Sequence, residues 1–156
     1  MDNNDILRRL RYTFDFDDSK MIEVFGLASL TVSRAEVSEW LKRDDDPQKQ
    51  DLLNVELAAF LNGLIVEKRG KKEGVELINE AHINNNIILR KLKIALNFKD
   101  DDMLEIYDLA NLQISKHEIS AFFRNPKQRQ YRTCEDQFLR NFLLGLSLKF
   151  RAEPDK

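Results

Sequence analysis

A chain of 156 residues with 42% apolar and 33% charged side chains, five glycines and three prolines is long enough to bury roughly 70% of the surface its unfolded form exposes. That balance excludes a disordered segment and a loop-rich β-protein and favours helix. The net charge of −2 conceals an asymmetry: residues 1–83 hold 12 Lys+Arg against 17 Asp+Glu, whereas residues 84–151 hold 12 against 8, so a polyanion is drawn to the second half.

The first helix is expected over about residues 4–14, with Asn available as N-cap and Ile6, Leu7, Leu10 and Phe14 at helical spacing. A second follows over about 19–29, with Asp18 as cap and a buried stripe of Met21, Val24, Phe25 and Ala28. The third begins with Ser33-Arg34-Ala35-Glu36, the spacing of a capping box, and carries Val37, Trp40 and Leu41 on its apolar face. After a polar loop containing Pro47, a fourth helix is expected from a cap at Asp51 to about Arg69, closed by Gly70.

The whole unit then returns. Residues 3–42 align without a gap to 85–124 at an offset of 82, with 16 identities in 40 positions, which identifies one supersecondary unit used twice. The second copy places helices over about 86–96 and 101–111, a capping box at Ser115-Lys116-His117-Glu118, and a fourth helix from Thr133 to about Phe150. The expected fold is therefore all-α: a first four-helix repeat over 1–70, a linker over 71–84, a second repeat over 85–151 and a frayed tail over 152–156. Within the linker, Val75, Leu77, Ile78 and Ala81 have the spacing of one short helix.

The fourth helix is apolar around most of its circumference, which makes it central. A mid-helix glycine costs about 1 kcal/mol relative to alanine, yet both copies keep one, Gly63 and Gly145. Close backbone approach would compensate. The expectation is that the two fourth helices pack on each other at these glycines, near a pseudo-twofold axis, and join the repeats.

Four runs carry a resemblance: Asn4-Asp5-Ile6-Leu7-Arg8-Arg9-Leu10-Arg11; Phe60 to Ile65 with Glu67 to Gly70; Ile83 to Leu92; and Cys134 to Leu146. In order and at matching separations, they resemble the YehS-like family of bacterial proteins, a domain-of-unknown-function family, over nearly the whole chain. The resemblance implies a bacterial cytoplasmic protein built by tandem duplication and transfers no catalytic residue. The family pattern often has a second cysteine in the first copy, where this chain has Leu52.

Candidate chemistry is sparse. Cys134, the single thiol, excludes an internal disulfide and stands at a helix start, where a dipole lowers a thiol pKa; its counterpart Leu52 favours a buried structural role. His82 and His117 lack the ligand company that zinc requires, and Glu118 is taken by its capping box. No phosphate loop, nucleophile elbow or metalloenzyme helix motif occurs, so no catalytic residue, metal or cofactor is assigned.

Two polar features remain. Helix two, a short turn and helix three have helix-turn-helix dimensions, and the second copy supplies Lys116, Arg124, Lys127, Arg129 and Arg132, with Tyr131 placed for stacking. Glu36 and Glu39 oppose phosphate in the first copy, and a pI of about 5.8 is low for an autonomous DNA-binding domain. The first helices share Arg8 and Arg11 with Arg90 and Lys93, either as patches for an acidic partner or phosphate or as long side chains that cover an apolar helix flank and pair with nearby Asp. The expected function is a non-catalytic interaction or regulatory module for another macromolecule, with nucleic acid as the alternative partner. A start lacking a basic-then-apolar segment, and the absence of any long apolar run, set the expectation of a cytoplasmic protein with no membrane partner.

Overall fold

In the computed structural model, which describes residues 1–71 and 77–151, each copy folds as four helices and no strand is found among the described residues. The first repeat holds α1 (Asn3–Phe14), α2 (Asp18–Leu27), α3 (Arg34–Trp40) and α4 (Asn54–Arg69); the second holds α5 (Asn85–Ala95), α6 (Asp100–Leu109), α7 (Lys116–Ala121) and α8 (Asp136–Arg151). Both capping boxes form. The Glu36 N–H donates to Ser33 Oγ at 3.1 Å and the Ser33 N–H to Glu36 Oε1 at 2.8 Å; the Ser115 and Glu118 pair repeats this at 3.0 and 2.9 Å.

Other ends differ from expectation by small, explicable shifts. Asp2, rather than an Asn, caps α1, its Oδ1 accepting the Asp5 N–H at 2.8 Å, and Asp17 caps α2. Four helix ends turn through left-handed residues at equivalent positions of the two copies, Asp15 with Asn97 and Ser29 with Asn111. Short polar side chains tolerate that region better than branched ones.

The fourth helices start later than Asp51 and Thr133. Residues 51–53 are held off the helix because Asn4, inside α1, reaches across to them: its Nδ2 donates to the carbonyls of Trp40 at 3.0 Å and Gln50 at 2.8 Å, and its Oδ1 accepts the Leu52 N–H at 3.0 Å. Asn86 makes the same three bonds to Phe122, Arg132 and Cys134, at 3.0, 2.8 and 2.9 Å. Both asparagines are buried, and each closes its repeat by tying the first helix to the end of the third and the entry of the fourth.

The seam between repeats also departs from expectation. It is made by first helices against fourth helices, α1 along α8 and α5 along α4, and not principally by α4 against α8. The paired glycines act inside each repeat. A Cβ at Gly63 would overlap the Val24 carbonyl of α2, and one at Gly145 the Ile106 carbonyl of α6. The close approach is real, but its partner is the second helix.

One apolar core runs through both repeats, from Leu7, Leu10 and Phe60 to Leu89, Leu92 and Phe142. Phe25 sits between Trp40 and Phe60 at ring distances of 5.4 and 5.2 Å, and the counterpart Tyr107 packs on Phe142 at 5.6 Å. Residues 77–84 contain no helix, so the described part of the expected linker helix is absent; Val75 lies outside the described residues. The expected frayed tail, 152–156, lies outside them too.

Candidate functional site

Of the basic residues picked out in the second repeat, several are already engaged. Lys116 pairs with Asp101 at 3.1 Å, and Arg132 pairs with Glu118 at 2.7 Å while its guanidinium lies over the Phe138 ring at 4.9 Å. The Ser115 N–H, with Arg132 second, holds the Glu118 carboxyl below its usual range. Arg124 and Tyr131 are half-buried, and Arg124 Nε has no hydrogen-bond partner. Lys127 and Arg129 stand exposed on the α7–α8 loop with no ion pair among the described residues.

The shared basic pattern of the first helices serves largely as internal capping. Arg8 donates to the Lys42 carbonyl at 2.7 Å and pairs with Asp5 and Asp44; Arg90 donates to the Phe123 carbonyl at 3.0 Å. These two carbonyls lie just beyond α3 and α7, where unpaired C-terminal carbonyls attract cations. Lys93 pairs with Asp100 at 3.3 Å and covers the Phe123 ring at 4.6 Å, whereas Arg11 is half-buried with its Nε unpartnered.

Cys134 is buried, and burial, reinforced by the nearby Asp136 charge, pushes its thiol up to about 12. A thiol in that state is a poor nucleophile at neutral pH. His82 and His117 are both exposed, and no group of three or more His, Cys, Asp or Glu is placed to hold a metal ion among the described residues.

The two seams between repeats are built alike and finished differently. On the α4–α5 seam, Lys91 Nζ donates to Asn62 Oδ1 at 2.7 Å, and Asn62 Nδ2 donates to the Ile78 carbonyl at 2.8 Å and to Asn79 Oδ1 at 2.9 Å. Asn79 in turn donates to the Ala28 carbonyl at the end of α2, and the Glu80 carboxylate lies 3.2 Å from Lys91 Nζ. Residues 78–80 thus lie over the seam, and Asn62 is fully buried beneath them.

On the α8–α1 seam the positions of Asn62 and Lys91 are taken by Leu144 and Arg9. No described residue lies over them. Leu144 is 42% exposed, Arg9 is exposed, and with Arg8, Tyr12, Leu143 and Ser147 they line a groove of about 230 Å³. Tyr12 also walls a second cleft of about 510 Å³ that reaches Lys68, Phe150 and Arg151. Sequence reading overlooked this groove, although the repeat alignment held its signal: a polar residue stands where the seam is covered and a leucine where it is open.

Comparison with known proteins places the chain. The family described as "Protein of unknown function (DUF1456)" matches it twice, over residues 3–70 and 85–152. The chain belongs to this family. It is 39% identical over 148 residues to the uncharacterized protein YehS of Escherichia coli (strain K12), covering 94% of this chain and 95% of that one. No solved structure matches it. The two copies of the DUF1456 unit leave out residues 71–84, so the segment that covers Asn62 belongs to neither unit. The two matched units of this chain therefore meet in two equivalent seams, and residues 78–80 lie over one of them.

Proposed function

We propose that the protein is a non-catalytic interaction module, working in the cytoplasm, that docks another protein on the seam between α1 and α8. The observation that carries this reading is the exposure of Leu144 and Tyr12 in the groove along one seam while the equivalent of Leu144, the polar Asn62, is buried. Apolar residues gathered at a groove and rimmed by cations are the composition of a docking surface rather than of a solvated flank. The buried, protonated Cys134 supports the non-catalytic part of the reading. No helix among the described residues is long and apolar enough to cross a membrane.

The test is photo-crosslinking in cells from a benzophenone residue at position 144, with position 53, an exposed leucine outside the groove, as control. A discrete protein adduct from 144 that is absent from 53 is expected. No adduct, or the same adducts from both positions, counts against the reading.

A nucleic-acid partner is the second reading, supported by the exposed Lys127 and Arg129 beside the helix-turn-helix-like α6–α7 pair. The engagement of Lys116 and Arg132 by Asp101 and Glu118 weighs against it. Duplex and single-strand binding at two salt concentrations decides it: this reading requires affinity that falls steeply with salt and weakens in Lys127→Ala/Arg129→Ala.

A further inference from the structure

We infer that the α1–α8 groove receives an acidic, non-helical segment of the protein partner, laid over the seam as residues 78–80 of this chain lie over the α4–α5 seam. The inference rests on the docking reading above and adds the chemistry of the occupant. The chain supplies its own template. Glu80 reaches Lys91 at 3.2 Å, and Ile78 and Asn79 are gripped by Asn62. Pseudosymmetry carries Lys91 onto Arg9, Asn62 onto Leu144, and Ala28, whose carbonyl takes Asn79, onto Ala110.

The substitutions alter what the groove selects. Arg9 retains a cation for a carboxylate and adds a planar fork suited to gripping it with two bonds. Arg9 has no ion-pair partner among the described residues, whereas its neighbour Arg8 is committed to Asp5 and Asp44. Leu144 replaces an amide that binds backbone with a surface for an aliphatic side chain. The occupant is thus a segment with a carboxylate for Arg9 and an apolar residue close to it for Leu144. Further along, Arg151 is already paired with Asp15 at 2.9 Å, so the cation offered to the occupant is Arg9.

The probe is a fluorescent peptide with the sequence of residues 77–83, Leu-Ile-Asn-Glu-Ala-His-Ile, titrated into the full chain and followed by anisotropy. Binding is expected to weaken with salt and to fall about tenfold in Arg9→Glu, an exposed position whose exchange leaves the helix signal unchanged. The double variant Arg9→Lys/Leu144→Asn, which recreates the Lys91 and Asn62 pair, is expected to bind this peptide more tightly than the original chain. Failure to bind in both the original chain and the double variant, or equal binding to Arg9→Glu, overturns the inference. If crosslinking at position 144 still captures a protein, the docking reading survives that failure; if it does not, both fall. A concentration-dependent dimer abolished by Leu144→Asp would name a second copy as occupant and overturn the acidic segment.

Discussion

Asn86 holds the backbone of Cys134, its carboxamide oxygen accepting the Cys134 N–H at 2.9 Å, and the same side chain donates to two carbonyls. Asn4 does this for Leu52 in the first repeat. Replacing either asparagine by alanine strands three backbone groups, two buried and one part-buried, each worth about 1 kcal/mol or more when left unpaired. Asn4→Ala and Asn86→Ala are each expected to lose about 3 kcal/mol in urea unfolding. Asp is no substitute, because it keeps the acceptor but turns an anion toward two carbonyls. A loss below about 1 kcal/mol would mean that water replaces the amide.

The glycines of the fourth helices invert the usual rule. In an unobstructed helix Gly→Ala stabilises by up to about 1 kcal/mol, and Gly26, where an added Cβ would meet nothing within 4 Å, should follow that rule. At Gly63 and Gly145 the added carbon would also meet a carbonyl carbon at 2.8 and 2.9 Å. Backbone cannot yield as a flexible side chain does, so Gly63→Ala and Gly145→Ala should destabilise by about 2 kcal/mol or more. Thermal unfolding of the three variants measures the contrast in sign.

Legibility in the sequence followed the range of each interaction. The capping boxes at Ser33 and Ser115 involve residues three apart, so sequence alone placed them. The bonds of Asn4 and Asn86 were not legible, because the residues they hold lie 36 to 48 positions away. The apolar girth of α4 and α8 foretold burial but carried no address, and Gly63 was assigned to the wrong neighbour for that reason. The groove was legible only as a difference between copies, Asn62 against Leu144, whose meaning depends on where residues 78–80 lie.

Tyr107 is fully buried and its hydroxyl has no hydrogen-bond partner, while its counterpart in the first repeat is Phe25. Burial also pushes its pKa well above the usual phenol value. Removing an unsatisfied polar atom without changing ring volume is neutral or favourable. Tyr107→Phe should therefore gain up to about 1 kcal/mol in urea unfolding. A loss of that size would reveal a bound water on the hydroxyl.

Cys134 links stability to alkaline pH. Its folded pKa, pushed up to about 12 by burial, lies above the ordinary thiol value of 9.0, so the folded state holds the proton more tightly than the unfolded chain. The contribution is complete below about pH 9 and is lost as pH rises from there toward 12, at about 1 kcal/mol per pH unit. Unfolding measured from pH 8 to 11 should show a steeper decline for the original chain than for Cys134→Ala. The same burial should leave the thiol unreactive to a disulfide reagent at pH 8 until the protein unfolds; prompt labelling of the folded chain contradicts the assigned environment.

The crossed seams make each repeat incomplete by itself. In a chain of residues 1–70, α1 lacks α8 and α4 lacks α5, so apolar surfaces that the other repeat normally covers face water. The repeat retains its internal contacts, α2 on α4 and α3 on α2, which keep some helix but leave the seam surfaces open. Because the missing partners are near copies of its own helices, the exposed surfaces are complementary to a second molecule in the same crossed sense, α1 of one against α4 of the other. Residues 1–70 are thus expected either to unfold at low concentration or to assemble as a symmetric dimer whose helix content and melting temperature rise with concentration. Sedimentation together with circular dichroism separates these cases. A monomer that melts cooperatively at a concentration-independent temperature would show that the seam between repeats is dispensable for folding.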